Sequence, residues 1–185
     1  NYYVIKIEKN IKDEFKNEIK ITKSIEEGPG IPKIVHYGKY QSKTYVIYPF
    51  VKKCIHNLKL NINQIYNCAY QILETLEFIH KKGIVHCDIS PRNILFDGNS
   101  TFFLNDFGLA KHFSFSILEK SSFLTGSPYY CSLNVHNKLD YMPRDDLISL
   151  GYILLYLSNL KLPWSGLKVC KDIKKEKELL ISKLH

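Results

Sequence analysis

The 185-residue sequence has no apolar run approaching the ~20 residues that a membrane-spanning helix requires. Its apolar opening, Tyr2-Tyr3-Val4-Ile5, is short and runs into Lys6, Glu8 and Lys9, which does not fit a secretion signal. There is no Cys-x-x-Cys pair. Cys54, Cys68, Cys87, Cys131 and Cys170 are odd in number and widely spread, which argues against a zinc site and against a disulfide framework. Reduced thiols in an intracellular protein, cytoplasmic or nuclear, are the expectation. No internal repeat is visible, and nothing is low-complexity beyond a general Lys/Asn/Ile bias. The first residue is Asn1 rather than Met and lies against a strand-like run, so the expectation is a sequence that starts part-way through a longer one.

What is present is an ordinary globular composition, 45% hydrophobic and 24% charged, enough for one domain with a real core or a small two-lobed one. The net charge of +8 would attract nucleic acid, anionic lipid or acidic protein. No aromatic–basic motif accompanies it, so nucleic acid is not an expected partner and the lysines read as a solvated surface. The densest cluster, Lys168 to Lys177, alternates with acids and predicts an exposed helix.

Residues 2–8 alternate and read as a strand. Residues 12–27 place Phe15, Ile19, Thr22 and Ile25 at helical spacing, and Gly28-Pro29-Gly30 ends that helix. Residues 34–40 and 44–48 read as strands joined by a turn at Gln41-Ser42-Lys43. Residues 61–80 predict a long helix with Ile62, Ile65, Ala69, Ile72, Leu73, Leu76 and Ile79 on one face, Asn61 or Asn63 as its cap, and Gly83 just past its end. A small hairpin is expected for 94–96 and 102–104 around Asp97-Gly98-Asn99. Residues 145–158, apolar nearly all round, predict a central buried helix.

Phosphoryl transfer from ATP needs a cation on the phosphates, oxygen ligands for Mg²⁺, a carboxylate facing the acceptor hydroxyl, and a grip on adenine. Asp88 and Asn93 stand five residues apart in a tight loop after the long helix, so both can face one cleft. Asp88 is the candidate acceptor of the hydroxyl proton and Asn93 a candidate Mg²⁺ ligand. Asp106, between an apolar strand and a glycine, is the second and main metal ligand; one carboxylate and one amide suit a hard cation that keeps several waters. Lys6, on an otherwise apolar strand, is the candidate phosphate cation, with Glu18 on the following helix as its partner. The segment Tyr48-Pro49-Phe50 is the candidate hinge, the carbonyl of Tyr48 and the N–H of Phe50 pairing with adenine.

In their order and spacing, His86-Cys87-Asp88-Ile89-Ser90-Pro91-Arg92-Asn93, Asp106-Phe107-Gly108 and Asp146-Leu147-Ile148-Ser149-Leu150-Gly151 resemble the eukaryotic protein kinases. Gly30-Ile31-Pro32, Thr125 to Asn134, and Arg144-Asp145-Asp146-Leu147 with Leu162-Pro163-Trp164-Ser165-Gly166-Leu167-Lys168 are similar to the casein kinase 1 family within them. The resemblance implies an α+β, two-lobed fold: a partial N lobe over residues 1–48, a hinge at 49–50 and a shortened, mostly helical C lobe over 51–185. It implies a monomeric Ser/Thr protein kinase that uses ATP and Mg²⁺ on protein substrates, away from membranes. It also implies that Asp146 accepts backbone N–H groups of the catalytic loop and that His86 and Phe107 pack between the lobes. An alternative is a kinase-fold binding module without turnover.

Several positions depart from the family pattern. The glycine-rich phosphate loop expected ahead of Lys6 and the last C-lobe helices expected after His185 fall outside the sequence. Ser90 stands where these kinases carry a lysine that neutralises the γ-phosphate. Cys87 replaces an arginine that binds an activation-loop phosphate, and Tyr129 replaces an arginine that reads acidic or phosphorylated substrates.

Overall fold

A computed structural model describes residues 2–8, 13–114, 124–158 and 161–183. The chain runs β1 (Tyr3–Ile7), α1 (Asp13–Ile25), β2 (His36–Tyr40), β3 (Lys43–Pro49), β4 (Lys53–Cys54), a first 3₁₀ turn (Ile55–Asn57), α2 (Ile62–Lys81), β5 (Ile84–Val85), β6 (Ile94–Phe96), β7 (Phe102–Leu104), a second 3₁₀ turn (Phe107–Leu109), β8 (Lys111–His112), α3 (Leu133–His136), α4 (Pro143–Leu157) and α5 (Cys170–Ser182).

The first lobe is a three-stranded antiparallel sheet in the order β1-β3-β2, with α1 against one face. Period-two alternation divides each strand between two faces. The register sets Lys6 opposite Val46 and Val4 opposite Tyr48, so these four share the face on which Ile19, Ile34, Val46 and Tyr48 form a small core with Phe15. Gln41 and Ser42 both adopt positive φ, 46° and 65°, giving the tight turn that the β2–β3 hairpin needs. In α1 the helical stripe buries Ile19, Thr22 and Ile25, while Ile21 and Ile25 reach into the main core below.

The second lobe is built on α2 and α4. Asn61, not Asn63, caps α2: its Oδ1 accepts from Gln64 N at 2.9 Å and Gln64 Oε1 accepts from Asn61 N at 3.0 Å. Such a reciprocal cap stabilises a helix start by about 1 kcal/mol. Gly83, with φ of 73°, turns the chain out of the helix. The buried stripe of α2 is Ile65, Cys68, Ile72, Thr75, Leu76 and Ile79, whereas Ile62 and Leu73 of the expected face are exposed. Leu73 follows Ile72 by ~100° around the axis and so leaves the i, i+3, i+4 row. Thr75 belongs to the buried stripe because its one hydroxyl proton has two acceptors in reach, the carbonyls of Gln71 and Pro29 at 2.9 and 3.0 Å.

Helix α4 corrects the expectation of an all-round buried helix. Leu147, Ile148 and Leu155 are exposed, and the buried face includes Asp145, Asp146 and Ser149. Those polar groups are buried because each has a hydrogen-bond partner. Helix α5 is likewise not wholly exposed: Ile173 and Lys177 are buried, Lys177 with 0% of its surface accessible. The 94–96 and 102–104 hairpin forms as expected, with Asp97 Oδ1 accepting from the N–H groups of Asn99, Ser100 and Thr101. Among the described residues no helix is long and apolar enough to cross a membrane.

Candidate active site

Lys6 projects from β1 into the cleft between the lobes. Its Nζ lies 2.6 Å from Glu18 Oε2 on α1 and 3.0 Å from Asp106 Oδ1 on the segment before the second 3₁₀ turn. Glu18 is almost fully buried, whereas the Lys6 and Asp106 side chains keep 38% and 46% of their surface, enough for a ligand to reach both. Tyr48 OH donates to the other Glu18 oxygen at 3.3 Å. Burial raises the Glu18 carboxyl above its ordinary range, an effect that Lys6 only partly offsets. Burial works to lower the Lys6 pKa, but Glu18 and then Asp106 outweigh it, and the net direction is upward. Lys6 is therefore a firm cation held by two carboxylates.

The loop between β5 and β6 carries Asp88 and Asn93. Asp146, fully buried at the start of α4, shapes that loop by accepting from His86 N at 2.9 Å, Cys87 N at 3.2 Å and His80 Nε2 at 2.9 Å. This pattern holds Cys87 in the left-handed region at φ 68°. The Cys87 thiol is buried, and burial pushes its pKa far upward, so it is an inert packing group. His86 is also buried. Its Nδ1 accepts from Asp88 N at 3.2 Å, which leaves Nε2–H to donate to Asn105 O at 3.1 Å. Its ring packs edge-on against Phe107, with centroids 4.8 Å apart. Packing is its role here, as the resemblance implied.

Both donors of Asn93 Nδ2 are used, on Asp88 O and Asp88 Oδ2, each at 2.9 Å. Its side-chain oxygen has no hydrogen-bond partner among the described residues, which leaves a hard oxygen free on a loop whose backbone pairs with the residue before Asp106, Asn105 N donating to Asn93 O at 2.8 Å. That donor set, one carboxylate and one amide oxygen, fits Mg²⁺. Asp106 itself sits at φ 66°, a left-handed conformation uncommon outside glycine that Asp tolerates better than most residues.

Asp88 Oδ1 accepts from Ser127 N at 3.0 Å, which fastens residues 124–134 to the β5–β6 loop. Gly126, at φ 77°, makes this approach possible: a Cβ there would lie 2.2 Å from Cys87 O. Donors from the rest of the lobe reach the carbonyls of the same segment. Trp164 Nε1 donates to Tyr129 O at 2.9 Å, and Lys177 Nζ donates to Pro128 O at 2.9 Å and Cys131 O at 2.6 Å. Ser132 Oγ donates to Asp145 Oδ1, and Asn134 Nδ2 lies 3.4 Å from the same oxygen. Burial lowers the Lys177 pKa to about 8, and burial followed by the Lys177 charge lowers that of His136 to about 4. At neutral pH a cationic lysine thus faces a neutral imidazole.

The hinge differs from expectation. The N–H of Phe50 donates to Tyr2 O at 3.0 Å, and in an antiparallel ladder Val4 and Tyr48, two residues further along each strand, form the next hydrogen-bonded pair. Both groups assigned to adenine are therefore spent within the sheet. Tyr48 contributes its side chain to the back of the cleft instead. Asn17, Gly126 and Lys177 were missed in the sequence. A helix-unfavourable Asn next to Glu18, and a Gly two residues before the Pro128-Tyr129-Tyr130 run, were the available signals.

A lysine–glutamate pair across two elements, an Asp/Asn loop and a left-handed Asp before Phe-Gly define a protein kinase catalytic core. The family model described as protein kinase domain matches residues 3–184, and the chain belongs to the protein kinase family. It is 30% identical over 177 residues to a probable casein kinase I homolog of Encephalitozoon cuniculi (strain GB-M1), a match covering 88% of this chain. The chain spans 56% of that relative's length.

Proposed function

We propose that this chain carries the catalytic core of a Ser/Thr protein kinase of the casein kinase 1 type, which transfers the γ-phosphate of ATP to protein hydroxyls. The observation that carries the reading is Lys6 Nζ within 3.0 Å of both Glu18 and Asp106. Opposite it, across the cleft, Asn93 and Ser127 N–H hold the Asp88 carboxylate in place. Asp106 and the free Asn93 oxygen would hold Mg²⁺, which supplies charge neutralisation at the phosphates. Lys6, steadied by Glu18, faces the α- and β-phosphates. Asp88 accepts the proton of the substrate hydroxyl, and the 124–134 segment that it anchors is the surface on which the peptide lies. With Tyr48 O and Phe50 N–H engaged in the sheet, adenine is read by the carbonyl of Pro49 and the N–H of Val51, the next outward-facing groups of the hinge.

Tyr129 donates its hydroxyl to Ser165 Oγ at 3.0 Å and offers no positive charge to a phosphorylated substrate. Unprimed Ser/Thr peptides are the expected substrates. The five free cysteines fit a reducing, intracellular setting.

A second reading, a kinase-fold module that binds without turnover, has one observation in its favour. Ser90 is buried in the catalytic loop where the family carries a phosphate-neutralising lysine. Complete protein with γ-labelled Mg·ATP and casein separates the two. Label recovered as phosphoserine or phosphothreonine supports the kinase. Saturable Mg·ATP binding with no label in casein supports the module and overturns the first reading.

A further inference from the structure

Among the described residues the Asn17 side chain hydrogen-bonds to none of Lys6, Glu18, Asp88, Asn93 or Asp106, yet it joins two of the elements that carry them. It precedes Glu18 on α1, and its Nδ2 donates to Gly108 O at 3.2 Å and to Ala110 O at 2.8 Å. An amide nitrogen has two N–H groups. Here each meets one carbonyl on either side of Leu109, where the 3₁₀ turn after Asp106 becomes extended backbone. A two-point contact fixes orientation as well as distance.

The other polar link between α1 and this segment runs through Lys6, from Glu18 to Asp106. That link is ionic, and bound phosphates and Mg²⁺ would compete for Lys6 and Asp106. Among the described residues no other side chain of α1 hydrogen-bonds to residues 106–110. Asn17 is thus the tie that persists when nucleotide draws Lys6 and Asp106 to itself. We propose that Asn17 is a positioning residue for the Asp106 metal ligand: by bridging Gly108 O and Ala110 O it locks α1 and the Asp106 segment in the relative placement in which Glu18, Lys6 and Asp106 meet. This inference rests on the kinase reading above. An asparagine in mid-helix is otherwise unfavourable, and its cost is offset by the two carbonyls that it satisfies.

The test compares wild type, Asn17→Ala and Asn17→Asp in the complete protein. Aspartate has the same shape but offers carboxylate oxygens to the two carbonyls. Hydrogen exchange at amides 107–112 is expected to quicken in Asn17→Ala and to quicken further in Asn17→Asp. In both variants the Mg²⁺ concentration for half-maximal phosphoryl transfer rises and kcat falls by about tenfold, while the KM for the protein substrate is unchanged. Asn17→Gln, which keeps the donors on a longer arm, recovers part of both losses. Wild-type exchange at 107–112 in Asn17→Asp overturns the proposal. So does a lowered Tm with unaltered Mg²⁺ dependence, which would mark Asn17 as a stabilising residue only. If wild type transfers no phosphate, the kinase reading fails, while the exchange measurement still decides the tie.

Discussion

Replacing Gly126 with alanine adds one methyl group at the junction between the β5–β6 loop and residues 124–134. Gly126 adopts φ 77°, and the new Cβ would stand 2.2 Å from Cys87 O and 3.4 Å from Asp88 Oδ1. The left-handed conformation alone costs an alanine about 1–2 kcal/mol. The contact is worse, because the opposing atom is backbone and that backbone is clamped by Asp146 at His86 N and Cys87 N. An ordinary separation requires one chain to retreat by roughly 1 Å, and Asp88 and Ser127 move apart by that amount. A displacement of that size at a reacting centre is worth on the order of a hundredfold in rate. Steady-state phosphorylation of a serine peptide is therefore expected to fall about a hundredfold in kcat/KM, while Mg·ATP affinity, which depends on the far side of the cleft, changes by less than about threefold. The assay pairs initial rates with calorimetric nucleotide binding on protein whose fold is checked by circular dichroism. A folded Gly126→Ala enzyme with wild-type kcat/KM would refute the claim that the segment is docked on Asp88 through this glycine.

Lys6→Met leaves Glu18 buried without its cation and removes the phosphate contact proposed above; Mg·ATP-dependent rate is expected to drop by on the order of a hundredfold, read by initial-rate kinetics. His136 predicts acid sensitivity. Its folded pKa, near 4, lies below its ordinary value of 6.5, so the unfolded chain binds more protons between these values. The stability contribution is complete above pH 6.5 and is lost as pH falls toward 4, by on the order of 3 kcal/mol. Lys177, Lys174, Cys170 and Glu178 face this imidazole, so the reference is a His136→Asn variant with those groups unchanged. Urea unfolding of the two proteins from pH 7 to 4 should show wild type losing its advantage across that window. Tyr129→Arg should gain several-fold in kcat/KM on a peptide carrying a phosphoserine near the acceptor, measured against its unphosphorylated twin.

The features that repeat along the chain were legible. Alternation gave β1, β2 and β3, helical spacing gave α1 and α2, and the Lys6–Glu18 and Asp88–Asn93 separations placed four site residues where the structure holds them together. Single side chains that satisfy distant carbonyls were not legible. Asn17 reaches Gly108 and Ala110 over ninety positions later, and Lys177 reaches Pro128 and Cys131 from the far end of the chain. No local pattern encodes such pairs, and charge alone placed Lys177 on the surface. The pairing of Phe50 N–H with Tyr2 O was not legible for a related reason. Which of two neighbouring residues in β3 turns its N–H toward β1 depends on the register of two strands forty residues apart, and one strand's sequence does not contain it. On the buried face of α4 the resemblance had pointed to Asp146, whose partners are the N–H groups of His86 and Cys87, but Asp145 was hidden because hydropathy counts it as a surface residue, whereas its partners are Met142 N–H and the Ser132 hydroxyl.

The central claim is that Asp88 takes the proton of a protein hydroxyl while Lys6, Asn93 and Asp106 hold Mg·ATP. Incorporation of γ-phosphate into casein by the complete protein, wild type against Asp88→Asn, tests it most directly when Mg·ATP affinity is measured on the same samples. The account predicts transfer by wild type, a loss of about a thousandfold or more in Asp88→Asn, and equal nucleotide affinity in both. Equal transfer rates in wild type and Asp88→Asn would contradict it.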